Sequence, residues 1–176
     1  MPNWHQLFDP LIDKANSLKY GLRHFIEDEL SFLDENWPEA LPAGVVHADL
    51  FPDNAFFKGS DLTGVIDFYF ACNDFLVWDL AVCINAWCFS QDGSFLFQNA
   101  RSLLKGYQNT RQLLPAERAA LPIMSRGAAL RFLLTRLHDW FHTPNDALTN
   151  RKNPLDLLPL IQFHRSVSDS TTYGLN

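Results

Sequence analysis

The sequence is short of several things, and each shortage excludes a class of protein. Cysteine occurs three times, at Cys72, Cys83 and Cys88, an odd number without paired spacing. That excludes a disulfide framework and a zinc knuckle, and leaves buried apolar thiols as the expectation. Basic residues are outnumbered, 14 Lys and Arg against 20 Asp and Glu, for a formal charge of −6. A chain with that balance has no overall field drawing it to nucleic acid or anionic lipid, although a local phosphate site built around a metal stays open. Long apolar runs are missing. The most hydrophobic segment, Phe75 to Phe89, is interrupted by Asp79 and Asn85 and is too short for a bilayer span. Met1 to Phe8 has no basic stretch leading into an apolar run, so no signal peptide is expected and the expected location is cytoplasmic. Repeats, low-complexity tracts and linkers are also lacking.

What the sequence has in quantity is core material. Hydrophobic residues make up 47% of it, with 15 Phe and 5 Trp, which excludes disorder. A length of 176 residues fits one domain. Asp9-Pro10 is a helix start, and Leu11, Ala15, Leu18, Leu22, Phe25 and Leu33 follow a three-and-four spacing. The pattern predicts one amphipathic helix running to Trp37-Pro38. Short apolar runs at Val45-Val46, Ala55 to Phe57 and Leu62 to Phe68, the last two around a Gly/Asp turn, predict a small hairpin. After Asn73-Asp74 the chain reads as helical: a buried helix over Phe75 to Phe89, and a second over Phe95 to Gln108 capped by Ser94. A third starts at Pro115 and should be kinked or divided by Pro122, and a short last helix starts at Asn153-Pro154. The expected fold is α+β and mostly α. Residues 1–43 form a long helix and its connection, 44–72 the loops that carry chemistry, 73–166 a helical body and 167–176 a polar tail.

The chemistry concentrates in His47-Ala48-Asp49-Leu50-Phe51-Pro52-Asp53-Asn54, followed by Ile66-Asp67-Phe68. Asp49, Asn54 and Asp67 are hard oxygen donors on loops at the ends of short strands. Magnesium sits on one or two carboxylates plus substrate phosphates. A carboxylate not committed to the metal can take a proton from an attacking hydroxyl. Taken singly, each of these residues is an ordinary loop carboxylate or turn Asn. Their joint spacing matches the protein-kinase pattern H-R-D-L-x-x-x-N followed by D-F-G, with Ala48 in place of the arginine and Tyr69 in place of the glycine.

With those two departures the sequence resembles the small-molecule kinases of the aminoglycoside phosphotransferase and choline kinase superfamily. Within it, the likeness is greatest to the bacterial homoserine kinase family. It is carried by Val46 to Asn54, by Ile66-Asp67-Phe68-Tyr69-Phe70-Ala71-Cys72, by Asp79 to Phe89 and by Arg126 to Leu137, and it extends from about residue 20 to about 166. The resemblance implies a protein-kinase-like large lobe that moves the γ-phosphate of ATP to the hydroxyl of L-homoserine, a small-molecule substrate on the way to threonine. It implies Asp49 as catalytic base, with Asn54 and Asp67 holding Mg2+. His47 and Asp79 would brace the loop. The carboxylate of homoserine would need Arg126 or Arg131, and its ammonium Tyr69, Asn85, Trp87 or Asp139.

Such kinases grip ATP with a second, smaller lobe that has a glycine-rich loop and a strand lysine. Only Gly21 and Gly44 precede His47, and Lys14 and Lys19 fall on the expected helix, so the ATP-gripping lobe is expected to lie outside this sequence. Three alternatives follow: a choline- or aminoglycoside-type kinase of the same superfamily, a relic without catalysis, or a lobe that binds a partner or self-associates through the face a second lobe would cover. His138-Asp139-Trp140-Phe141-His142 also sets two histidines on one helix face, as in H-E-x-x-H zinc sites, but with Asp for Glu and no evident third ligand.

Overall fold

The longest helix organises the rest. In the computed structural model, which describes residues 4–144 and 151–175, it runs unbroken from Pro115 to His142. The ends of the expected 1–43 and 167–176 units lie outside the described residues. Pro115 opens this helix at a position where its missing N–H costs nothing, and the Glu117 carboxylate accepts the Leu114 N–H at 3.0 Å. Glu117 is buried and held by both guanidinium nitrogens of Arg111 at 2.9 and 3.0 Å, so the cap is locked to the preceding loop. Pro122 lies inside the helix and does not divide it, which leaves a kink as the other expected outcome. Burial outweighs the lost hydrogen bond, because Leu121, Met124, Ala128, Leu130 and Leu133 around it are shut off from solvent.

Among the described residues six further helices precede or flank it: α1 (Trp4–Phe8), α2 (Ala15–Leu18), α3 (Leu22–Asn36), α4 (Val77–Trp87), α5 (Phe97–Thr110) and α7 (Leu158–Ser166), the long helix being α6. The single N-terminal helix expected from the spacing is instead α1 to α3. Lys19 is extended and Gly21 adopts φ +80, a left-handed turn that glycine takes without strain. The Asn16 side chain then accepts the Arg23 N–H at 3.1 Å and supports the fresh start of α3. Gly127 of α6 is required for a different reason: a Cβ there would lie 2.6 Å from the Trp37 ring, which packs edge-on against Trp4. Helix α4 is buried nearly all round and packs along α6.

Two small antiparallel sheets frame the loops. Strand β1 (Ala43–Val46) pairs with β4 (Cys72–Phe75), Ala43 opposite Phe75 and Val46 opposite Cys72. Strands β2 (Ala55–Lys58) and β3 (Asp61–Val65) form the expected hairpin, which ends at Val65 rather than Phe68. β4 was not expected: Cys-Asn-Asp has neither alternation nor β-branching, and its pairing with β1 comes from residues far away in sequence. It also leaves Cys72 exposed, whereas Cys83 and Cys88 are buried as expected. Helix α5 starts at Phe97, after a turn in which Ser94 bonds Ser90 and Asp92 instead of capping the helix.

The expected polar tail is not a tail. Tyr173 and Leu175 are buried, and Asp169 caps a one-turn helix over Ser170–Tyr173 by accepting the Thr171 N–H at 2.8 Å. The Tyr173 hydroxyl donates to His164 Nδ1 at 2.8 Å, and His164 Nε2 donates to Asn85 Oδ1 at 3.1 Å. Asn85 in turn donates to the carbonyls of Ala81 and Ser125 at 2.9 and 2.8 Å. The chain joins α7, the tail, α4 and α6 through buried polar atoms that all find partners. Burial, helped by the nearby Arg126 charge, pushes the His164 pKa down to about 3 from 6.5. The unfolded chain therefore binds a proton at His164 that the fold refuses. Above pH 6.5 there is no effect, and stability falls as pH drops from 6.5 towards 3, at up to about 1.4 kcal/mol per pH unit. Urea titrations at pH 7, 5 and 4 check this, and His164→Gln is expected to flatten the slope.

Candidate active site

Residues 47–54 leave β1 and enter β2, and 66–71 leave β3 and enter β4, so both motif segments emerge on the same side of the two sheets. Asp79, in the first turn of α4, holds the first segment. Its Oδ2 accepts the His47 N–H at 2.8 Å and its Oδ1 accepts the Ala48 N–H at 2.7 Å. Ala48 has φ +63, a left-handed conformation that costs a residue with a Cβ about 1–3 kcal/mol. Two charges stabilise it: Asp79 takes its N–H, and Arg131 Nη1 donates to its carbonyl at 2.6 Å.

His47 joins the two motif segments. Its Nε2 bonds the Ile66 carbonyl at 2.8 Å and its Nδ1 accepts the Asp49 N–H at 3.3 Å, so the ring is oriented between the two segments. The next residue, Asp67, is the second non-glycine with positive φ, at +62. Asn54, nearly buried, donates from Nδ2 to the Asp49 carbonyl at 2.8 Å and to the Asp49 carboxylate at 3.3 Å. With its nitrogen so committed, Oδ1 is the amide atom left to take a further partner. Burial raises the Asp49 pKa, the charge of Asp67 adds to the rise, and Arg131, His47 and the Asn54 hydrogen bond oppose it. A carboxylate raised in this way is a stronger proton acceptor than a solvated one.

Asp49, Asn54 and Asp67 share the wall of an open pocket of about 380 Å³ with Arg131 and Asp139. Arg136, Lys152, Thr135 and Phe70 also line it and were not anticipated. Arg136 lies five residues beyond Arg131 on an apparently apolar helix, and Lys152 sits in a loop remote from the motif, so neither had a local signal. The other candidates lie elsewhere. Arg126 is bound to the fully buried Glu29 at 2.5 and 3.0 Å and stacks on Phe32, while Arg165 contacts the same carboxylate. Asn85 belongs to the His164 network and borders a different pocket of about 370 Å³. Trp87 braces the loop from behind, donating to the Leu50 carbonyl at 2.9 Å, and lines an apolar pocket of about 440 Å³ there. Tyr69 is 86% exposed and outside the pocket wall. His138 and His142 stack at 4.3 Å, both exposed, and among the described residues no three His, Cys, Asp or Glu side chains gather to hold a metal by themselves.

Comparison with known proteins adds the following. Residues 5–114 match the family described as the phosphotransferase enzyme family. Curated homoserine kinases are similar along the chain: that of Xanthobacter autotrophicus is 54% identical over 172 residues, covering 98% of this chain and 54% of that protein. The Sinorhizobium medicae protein is 52% identical, with 98% of this chain and 53% of that protein covered, and the Rhizobium etli protein 50% identical, with 98% and 54% covered. The chain spans about half the length of the curated relatives it matches. No helix among the described residues is long and apolar enough to cross a membrane.

Two stability outcomes follow from the anchors. Asp79→Ala leaves the His47 and Ala48 N–H groups unpaired and should cost about 2–5 kcal/mol in urea unfolding. Asp49→Asn should raise the urea midpoint at pH 7. Because the folded pKa of Asp49 lies above its unfolded value, the penalty exists only where the carboxyl is ionised, and the gain should shrink as pH falls towards 3.8.

Proposed function

The chain belongs to the phosphotransferase enzyme family, and from that premise we propose that it carries the catalytic loop, metal ligands and acceptor pocket of an ATP-dependent homoserine kinase. The single observation that supports this reading is the Asn54 amide bound to Asp49, which would set a proton acceptor beside a metal ligand. The Asp49 carboxylate would take the proton of the substrate hydroxyl as its oxygen attacks the γ-phosphorus, and the bond to the β-phosphate oxygen would break to release ADP. Asn54 Oδ1 and the Asp67 carboxylate would hold magnesium. The donors fit that ion: hard oxygens, and too few of them to cage it without substrate phosphates. When bound, the ion would supply positive charge that offsets the negative charge built up on the phosphoryl group. Arg131 and Asp79 keep Ala48, and with it Asp49, in place.

The relatives have nearly as much chain again outside the matched stretch, and we place the grip on ATP there. Exposed Val45, Phe56, Ile66, Phe68 and Tyr69, next to the two motif segments, supply an apolar face for further polypeptide.

The test is transfer of labelled γ-phosphate to L-homoserine, choline or an aminoglycoside, by this chain alone and mixed with the N-terminal half of the Xanthobacter autotrophicus homoserine kinase. The expected product is O-phospho-L-homoserine, and Asp49→Ala should lower its rate by about 10²–10⁴ without loss of folding. Preferential labelling of choline or the aminoglycoside, or no transfer in either form, would overturn the reading.

A further inference from the structure

The charges of the acceptor pocket do not all find partners within it, and the remainder has a particular form. Asp53 is paired with Lys152 at 3.1 Å. Arg131 is bound to the Ala48 carbonyl and lies close enough to Asp49 to oppose the rise in its pKa. Asp67 faces the proposed metal. That leaves one cation and one anion, Arg136 and Asp139, one helical turn apart on α6 and both in the pocket wall.

Arg136 is held loosely for a guanidinium whose side chain is only 19% exposed. Its contacts are the Asn153 carbonyl at 3.4 Å and the exposed Asp156 at 4.0 Å, both longer than a good charge-assisted bond. Asp139 is more exposed, and among the described residues its carboxylate has only the adjacent His138 ring at 3.5 Å. Positions three apart on a helix bring their Cβ atoms to about 5–6 Å, a span that the two charged groups of one α-amino acid can bridge from one side.

We propose that Arg136 and Asp139 form a clamp for a zwitterion: the guanidinium takes the α-carboxylate of the substrate and the Asp139 carboxylate takes its α-ammonium. The clamp rests on the acceptor-pocket reading above and deepens it. It assigns the carboxylate to a residue other than Arg126, spent on Glu29, or Arg131, spent on the catalytic loop. It also selects the class of acceptor. Choline or an aminoglycoside carries positive charge only, and each would leave Arg136 facing like charge with nothing to neutralise it. A hydroxylated α-amino acid satisfies both partners and sends its hydroxyl away from α6 towards Asp49.

Three ligands separate the contributions: L-homoserine, 3-amino-1-propanol (no carboxylate) and 4-hydroxybutanoate (no ammonium). Their affinities for the full chain can be read by ligand-observed NMR, which needs no turnover. Arg136→Gln should weaken homoserine and 4-hydroxybutanoate by about 10- to 100-fold and leave 3-amino-1-propanol within about twofold. Asp139→Asn should do the reverse, weakening homoserine and 3-amino-1-propanol alone. Ratios within each variant cancel any general loss of folding, and Arg136→Lys should restore part of the carboxylate preference. Equal effects on all three ligands, no effect, or no homoserine binding to the wild-type chain would overturn the clamp. Homoserine bound with the expected pattern but never phosphorylated in the mixed assay would overturn the kinase reading and leave the clamp standing.

Discussion

Everything at the candidate site depends on one carboxylate held behind the loop it positions. Asp79 reaches from the first turn of the most buried helix and takes two consecutive backbone N–H groups, those of His47 and Ala48. A buried helix is the least mobile support the fold offers, and a bidentate carboxylate passes its position to the loop. From there the order propagates in short steps. Ala48 is held in a left-handed conformation, Asp49 follows it in direction, and Asn54 is set against Asp49. His47, pinned by its own N–H, places Ile66 and therefore Asp67. Arg131 closes the arrangement from the opposite side by taking the Ala48 carbonyl.

This arrangement costs stability. Two residues with a Cβ sit at positive φ, and a carboxylate is raised in pKa by burial and by a second acid nearby. The helical body offsets it with an apolar core centred on α4 and α6 and with buried polar groups that are fully paired, such as Glu29 between Arg126 and Arg165. Backbone strain is concentrated in the two motif segments, while most buried polar side chains elsewhere are paired, Trp37 Nε1 and Ser125 Oγ excepted.

Legibility in the sequence followed the range of the interactions. The candidate site was readable because His47, Asp49, Asn54 and Asp67 are close in the chain and their spacing is itself the signal. Helices α4 and α6 were readable because burial imposes its period locally. The break at Gly21 was missed because the apolar stripe continues through it, and the left-handed Gly21 and the Asn16 bond to Arg23 show where α3 begins. Arg126, Arg131 and Arg136 stand at similar positions in one helix, and nothing local tells them apart. Glu29, Ala48 and the open pocket do, and these partners are up to 97 residues away or are no residue at all. Strand β4 and the buried tail were hidden for the same reason, since their partners are distant and their own residues are polar.

The His164 network has a consequence for the order in which the molecule can be built. Asn85, in the middle of α4, has its carbonyl oxygen satisfied by His164, which is itself oriented by Tyr173. During synthesis α4 emerges from the ribosome long before either partner exists. Until they arrive, the helix that carries Asp79 has an unpaired amide oxygen on the face it must bury. The loop over 47–54 is therefore made well before His164 and Tyr173 and gains its rigid foundation only after them, because contacts of such long sequence separation form late.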